Sequence, residues 1–109
     1  MRVFTDTLCK VSLDKELTGA DFRVLNVILC GMEFGNKYSQ PQTAIAQLLG
    51  TSQRNVASSI KKLIAKKLIK VVDNIGRQNI YMVNPALAFK DFSDNLGMLE
   101  EEWLNYLEA

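Results

Sequence analysis

From residue 53 to residue 65 the apolar positions Val56, Ile60, Leu63 and Ile64 recur at the three- and four-residue steps that line one face of a helix. A shorter helix is predicted before it, ending near Leu49, with Ile45, Leu48 and Leu49 as its apolar side. Between the two, Ala46 supplies a small residue where helices cross, Gly50 and Thr51 supply a tight turn, and Ser52 supplies an N-cap oxygen. After Lys67 the period drops to two. Residues 68–73 and 79–83 are rich in β-branched and aromatic side chains and read as strands, joined by Asn74, Ile75, Gly76 and Arg77 as a hairpin turn.

Upstream, Thr18 and Asp21 have the spacing of a capping box, and Leu17 and Phe22 that of a hydrophobic staple, so a helix begins at Thr18. Its buried side is Phe22, Leu25, Ile28, Leu29 and Met32, and Gly31 or Gly35 ends it. Residues 35–38 read as a turn. Ser39 and Gln42 then have capping-box spacing with Pro41 in the first turn, which reopens a helix at Ser39. Residues 3–11 show no helical period and read as a short strand or extended arm that adds to a sheet edge. Downstream, Asn84 and Pro85 stop the last strand, residues 86–89 fold back over the core, and residues 91–95 form a linker. The chain closes on Leu96, Leu99, Trp103 and Leu107, spaced by three and four residues with Leu104 and Tyr106 beside them, an acidic amphipathic helix.

This succession predicts an α+β fold, a winged helix-turn-helix with a three-helix core and a β-hairpin wing. It divides into a DNA-binding domain over residues 1–90 and an additional C-terminal helix over residues 91–109. At 109 residues the chain has room for one hydrophobic core but not for a separate catalytic domain. No stretch approaches the roughly 18 uninterrupted apolar residues of a membrane span, and the first residues lack the apolar run of a secretion signal, so a cytoplasmic protein is expected. Histidine is absent and Cys9 and Cys30 form no close pair, which removes the Cys/His zinc spacings and every mechanism with a histidine base. Two reduced, partly buried thiols are expected. With no nucleotide-binding loop and no pair of acids poised together, no enzyme activity, metal or cofactor is predicted.

Charge changes the picture more than its total suggests. The net charge of +1 conceals a body, residues 1–90, in which 13 Lys and Arg face six acids for a net +7, and a tail, residues 91–109, with six acids and no base for −6. Within the body the excess lies late: eight basic residues face Asp73 alone over residues 39–90, so the basic footprint coincides with the helix-turn-helix.

Helical steps from Val56 place Arg54, Asn55, Ser58, Lys61, Lys62 and Ala65 opposite the buried stripe. A polar, basic face on an isolated helix is ordinarily a solvated one; beside a wing it becomes a recognition face for the major groove. Gln53, Arg54, Asn55 and Ser58, near the N-terminal end, are the candidate base contacts, since arginine pairs bidentately with guanine and asparagine with adenine. Lys61 and Lys62, with Ser39, Thr51 and Ser52, are the candidate phosphate contacts, which set affinity and register rather than sequence. Arg77 at the hairpin tip, with Lys70 and Gln78, is the candidate wing contact to a minor groove or phosphate.

The capped helix at Thr18, the helix-turn-helix, the Ile69-Lys70-Val71 strand and above all Tyr81-Met82-Val83-Asn84-Pro85 leading to Phe89 and Lys90 resemble the RepL-type plasmid replication initiators. The same plan is shared more loosely by MarR-like winged-helix regulators. The resemblance spans residues 3–90 and implies origin or operator binding by a mobile-element protein, with recognition residues at 53–58. Two features depart from it. The family usually has glycine where Lys67 stands, and its members are generally longer. A lysine in a left-handed position there costs about 1 kcal/mol.

The predicted function is sequence-specific binding of double-stranded DNA as a homodimer, controlling replication or transcription of a plasmid or phage. The rival is a winged helix used only for protein contact, which has no need of Arg54, Lys61, Lys62 and Arg77 on one side. For the tail helix, Leu96, Leu99, Trp103 and Leu107 leave open packing on the chain's own domain, dimerisation, capture of a protein partner, and autoinhibition by its acidic face.

Overall fold

The computed structural model describes residues 1–91 and 95–108. Its elements in chain order are β1 (Arg2–Val3), α1 (Thr5–Ser12), α2 (Gly19–Cys30), β2 (Lys37–Tyr38), α3 (Gln42–Leu49), α4 (Gln53–Ala65), β3 (Ile69–Ile75), β4 (Gln78–Val83), β5 (Ala88–Phe89) and α5 (Leu96–Glu108). Antiparallel β2, β4 and β3, in that order, form a three-stranded sheet, and β1 pairs with β5 in a separate two-stranded ribbon. The result is an α+β winged helix-turn-helix carrying an additional C-terminal helix.

Local chemistry places the helix ends. The Thr18 hydroxyl accepts from the Asp21 N–H while the Asp21 carboxylate accepts from the Thr18 N–H at 2.8 Å, so the capping box opens α2 as expected and Gly31 closes it. Ser52 caps α4 by accepting the Asn55 N–H. Gly50, at φ +65°, ends α3, with Thr51 N–H reaching back to the Ala46 carbonyl at 3.0 Å. The end of α4 uses the same device without glycine. Lys67 sits at φ +59°, its N–H on the Ile64 carbonyl and the next N–H, that of Leu68, on the Leu63 carbonyl, while Leu63 and Leu68 are both buried. Lys67 therefore takes a left-handed conformation, held there by the two terminal bonds and by Asn84 Nδ2, which donates to the Lys67 carbonyl at 3.0 Å.

Four expectations are corrected. Of residues 3–11 only Val3 lies in a strand, the end of β1; from Thr5 the chain is α1, a two-turn helix whose anchoring comes from buried Val11 and half-buried Leu8. Ser39 does not open α3. The N-cap is Pro41, Ser39 Oγ donates instead to Glu33, and Gln42 Nε2 donates to the Tyr81 hydroxyl, so neither half of the expected box forms. Cys9 and Cys30 are unlinked thiols, but both are exposed rather than partly buried. Leu48, assigned to the apolar side of α3, is also 73% exposed, and Ile45 and Ala46 carry that side's burial.

The core is built on both faces of the sheet. Val24, Leu25 and Ile28 of α2, Ile45 of α3 and Val56, Ile60 and Leu63 of α4 pack with Tyr38, Tyr81 and Val83. Because side chains alternate along a strand, Met82 points the other way, where it joins Phe89 and the buried Leu99 and Trp103 of α5. The apolar face of the tail helix thus covers the back of its own sheet, with Leu96 and Leu107 half-buried beside it and a Lys37–Glu102 ion pair at its edge. The expected linker at residues 91–95 falls largely outside the described residues.

A polar residue pins the two sheets together. Asn36, fully buried at φ +60°, donates through Nδ2 to the carbonyls of Val83 (3.1 Å) and Ala88 (2.7 Å) and accepts the Lys90 N–H through Oδ1 at 2.8 Å. Asparagine suits both demands: it tolerates the left-handed region and carries a donor and an acceptor on one short side chain.

Candidate nucleic-acid interface

The hairpin turns at Gly76 and Arg77. Gly76, at φ +65°, is the first of the two loop residues, where a two-residue hairpin turn of this kind requires positive φ. Around Val72 a bulge shifts the β3–β4 register. The tip then stands over the N-terminal ends of α3 and α4, and one open notch is lined by Gln53 of α4, Gln42 of α3, Gln40, Arg77 and Gln78 of the hairpin, and Tyr81. This lining is polar and rich in amide groups that both donate and accept, the equipment for reading base edges.

Along α4, Gln53, Arg54, Asn55, Ser58 and Lys61 are exposed and Val56, Ser59, Ile60 and Leu63 are buried, so the helix presents the face its period predicts. Two of the residues proposed for phosphate contact, Thr51 and Ser52, are exposed beside this face, and both are engaged with Asn55. Ser39 lies near the start of α3 and is bonded to Glu33. Lys70 stands apart. Its register with Met82 puts it on the sheet face that α5 covers, and it does not line the notch.

The basic charge of α4 is partly consumed within the chain. Lys62 Nζ lies 3.1 Å from Asp21 Oδ2, and Lys66 Nζ lies 3.1 Å from Asp14 and 2.9 Å from Glu16. Asp21 is buried, and burial by itself would raise its carboxyl pKa; the Thr18 N–H, the Ser59 hydroxyl at 2.7 Å and the Lys62 ammonium outweigh that, and the pKa is lowered. The Glu16 and Asp14 carboxylates raise the Lys66 pKa. These bonds fasten α4 to α2 and to the loop before it, so the helix is held on one side and offered to solvent on the other.

Sequence reading missed Gln40, Gln42 and Tyr81 in the notch, and Ser59 beneath the exposed polar face of α4. Ser59 carried a signal. It falls on the apolar stripe between Val56 and Leu63, and a polar residue at such a position needs a buried partner. Asp21, 38 residues earlier, is that partner.

No family model matches this chain, and no curated protein matches it. Among solved structures it is similar to the adhesin competence repressor AdcR of Streptococcus pyogenes, with 14% sequence identity and a TM-score of 0.49 over 95% of this chain and 67% of that one.

Proposed function

We propose that this protein binds duplex DNA sequence-specifically, with the N-terminal half of α4 in the major groove and Arg77 of the hairpin tip at the neighbouring minor groove or phosphate. The observation that carries the reading is that Gln53 of α4 and Arg77 and Gln78 of the hairpin border one notch, next to the exposed Arg54, Asn55, Ser58 and Lys61. A helix flanked by a cationic tip is the shape that reads base edges while gripping the backbone. The protein acts as a homodimer on paired half-sites, in control of transcription or of replication initiation from a plasmid or phage. Leu99 and Trp103 of α5 are buried within the chain, so pairing of copies engages the residues that α5 leaves outside, among them the exposed Met98 and Leu104.

The test is anisotropy of labelled duplexes from the gene's own upstream region and nearest origin, titrated with the full chain across a salt series. Tight binding to one duplex, weaker binding to its scrambled version and a steep negative salt slope are expected. Background binding to every duplex at low salt would leave the module as one for protein contact alone.

A further inference from the structure

We infer that Asn55 reads an adenine and that Thr51 is the residue that orients it to do so; the inference rests on the DNA reading above. Asn55 is the third residue of α4, and its side chain reaches back four positions, Nδ2 donating to Thr51 Oγ1 at 3.0 Å. Its backbone N–H is held as well, by Ser52 Oγ at 3.2 Å. Thr51 is itself fixed, because the left-handed Gly50 brings its N–H onto the Ala46 carbonyl at the end of α3. An exposed asparagine would otherwise exchange rotamers; the bond to Thr51 holds one of them, with either end of the amide toward a hydroxyl that both donates and accepts.

The amide nitrogen carries two N–H bonds. One is taken by Thr51, and the second N–H and Oδ1 remain available at an exposed position of the helix. Adenine offers N7 as acceptor and N6 as donor in the major groove, which this pair matches. Guanine offers two acceptors there, N7 and O6, so Oδ1 would face an oxygen. The turn of the helix-turn-helix thus does more than connect its helices: its threonine holds in place the amide whose one donor and one acceptor favour adenine over guanine. Thr51 is a positioning residue, acting through Asn55.

A duplex pool with a randomised core longer than one helical turn is selected by the full chain and by its Thr51→Val, Thr51→Ser and Asn55→Ala variants, and the retained duplexes are sequenced. The unaltered chain is expected to enrich a site with adenine fixed at one position. Thr51→Val should weaken that preference about threefold to tenfold, the factor one neutral hydrogen bond provides, at unchanged salt slope, and Thr51→Ser should restore it. Asn55→Ala should abolish the preference at the same position. If Thr51→Val keeps the full adenine preference, the positioning role is overturned; if Asn55→Ala keeps it, Asn55 is not the reader. No enriched site with the unaltered chain removes the DNA reading itself and this inference with it.

Discussion

Replacing Ser59 by alanine isolates the bond that fastens α4 to α2. Ser59 is 3% exposed and Asp21 2%, so the 2.7 Å bond between the serine hydroxyl and Asp21 Oδ1 lies out of reach of solvent. The other carboxylate oxygen already serves the Thr18 N–H at 2.8 Å and Lys62 at 3.1 Å, which leaves the deleted hydroxyl without a replacement. A hydrogen bond to a charged group contributes about 1.5–3 kcal/mol, so Ser59→Ala should lower the unfolding free energy by about 2 kcal/mol. Asp21→Ala removes half of a capping box, about 1 kcal/mol, and strands the Ser59 hydroxyl, for a total of about 3 kcal/mol. The double variant should cost less than the two together, because no stranded partner remains; the coupling should be about 1–2 kcal/mol. Urea unfolding followed by the fluorescence of Trp103 measures all four corners of the cycle, since it is the chain's single tryptophan and is buried against the sheet. Additive costs, with coupling indistinguishable from zero, would refute the claim that this bond holds α4 in place.

Four other outcomes are expected. Lys67→Gly, which relieves the left-handed strain at φ +59°, should raise stability by about 1 kcal/mol in the same urea assay; a loss would mean that α4 ends in another conformation. Asn36→Ala should cost about 3 kcal/mol or more, because the two carbonyls and one N–H that it serves lie at a fully buried position, and Asn36→Gly should recover only the backbone part, about 1 kcal/mol. The Asp21 pKa is held below its ordinary 3.8 in the fold, so its contribution is complete above that value and disappears as pH falls through the folded value. Asp21→Asn should therefore flatten the fall in stability below about pH 4, and an acid limb as steep as in the unaltered protein would contradict this. In DNA titrations Lys61→Ala should make the salt slope shallower by about 0.9 per copy, and Lys62→Ala by clearly less, because Asp21 already balances Lys62; equal changes would show that DNA draws Lys62 away from Asp21.

Much of the candidate site is legible in the chain because its signals are local. A cap and its partner lie three residues apart, a helical stripe repeats within four, and a two-residue hairpin needs one permissive residue. Thr18 with Asp21, Gly50, Ser52, the stripe from Val56 to Leu63, and the hairpin turn each act over that range, although Asn74 and Ile75, expected in the turn, belong to β3 and leave only Gly76 and Arg77 as the loop. The misreadings fall where a local signal competes with a distant partner. Ser39 and Gln42 have the spacing of a cap, but Glu33 and the Tyr81 hydroxyl take their side chains. The strand β2 is two residues long and exists because β4, more than 40 residues later, pairs with it. Too few apolar positions mark α1, and packing supplies what its own period lacks.

The sequence by itself determined which face of α4 is polar, where α3 ends and α4 begins, and that a cationic tip closes the hairpin, since all of these follow from chemistry within a few residues. Tertiary structure decided which surfaces are covered, paired or left open. It sent the apolar side of α5 onto Met82 and Phe89 at the back of the sheet, bound Lys62 and Lys66 to acids of the α1–α2 region, set Lys70 away from the notch, and brought Gln40, Gln42 and Tyr81 into it. The physical reason is that burial and ion pairing join groups far apart in the chain. Only the fold's closure fixes which charges remain exposed, and so which residues the proposed DNA contact can use.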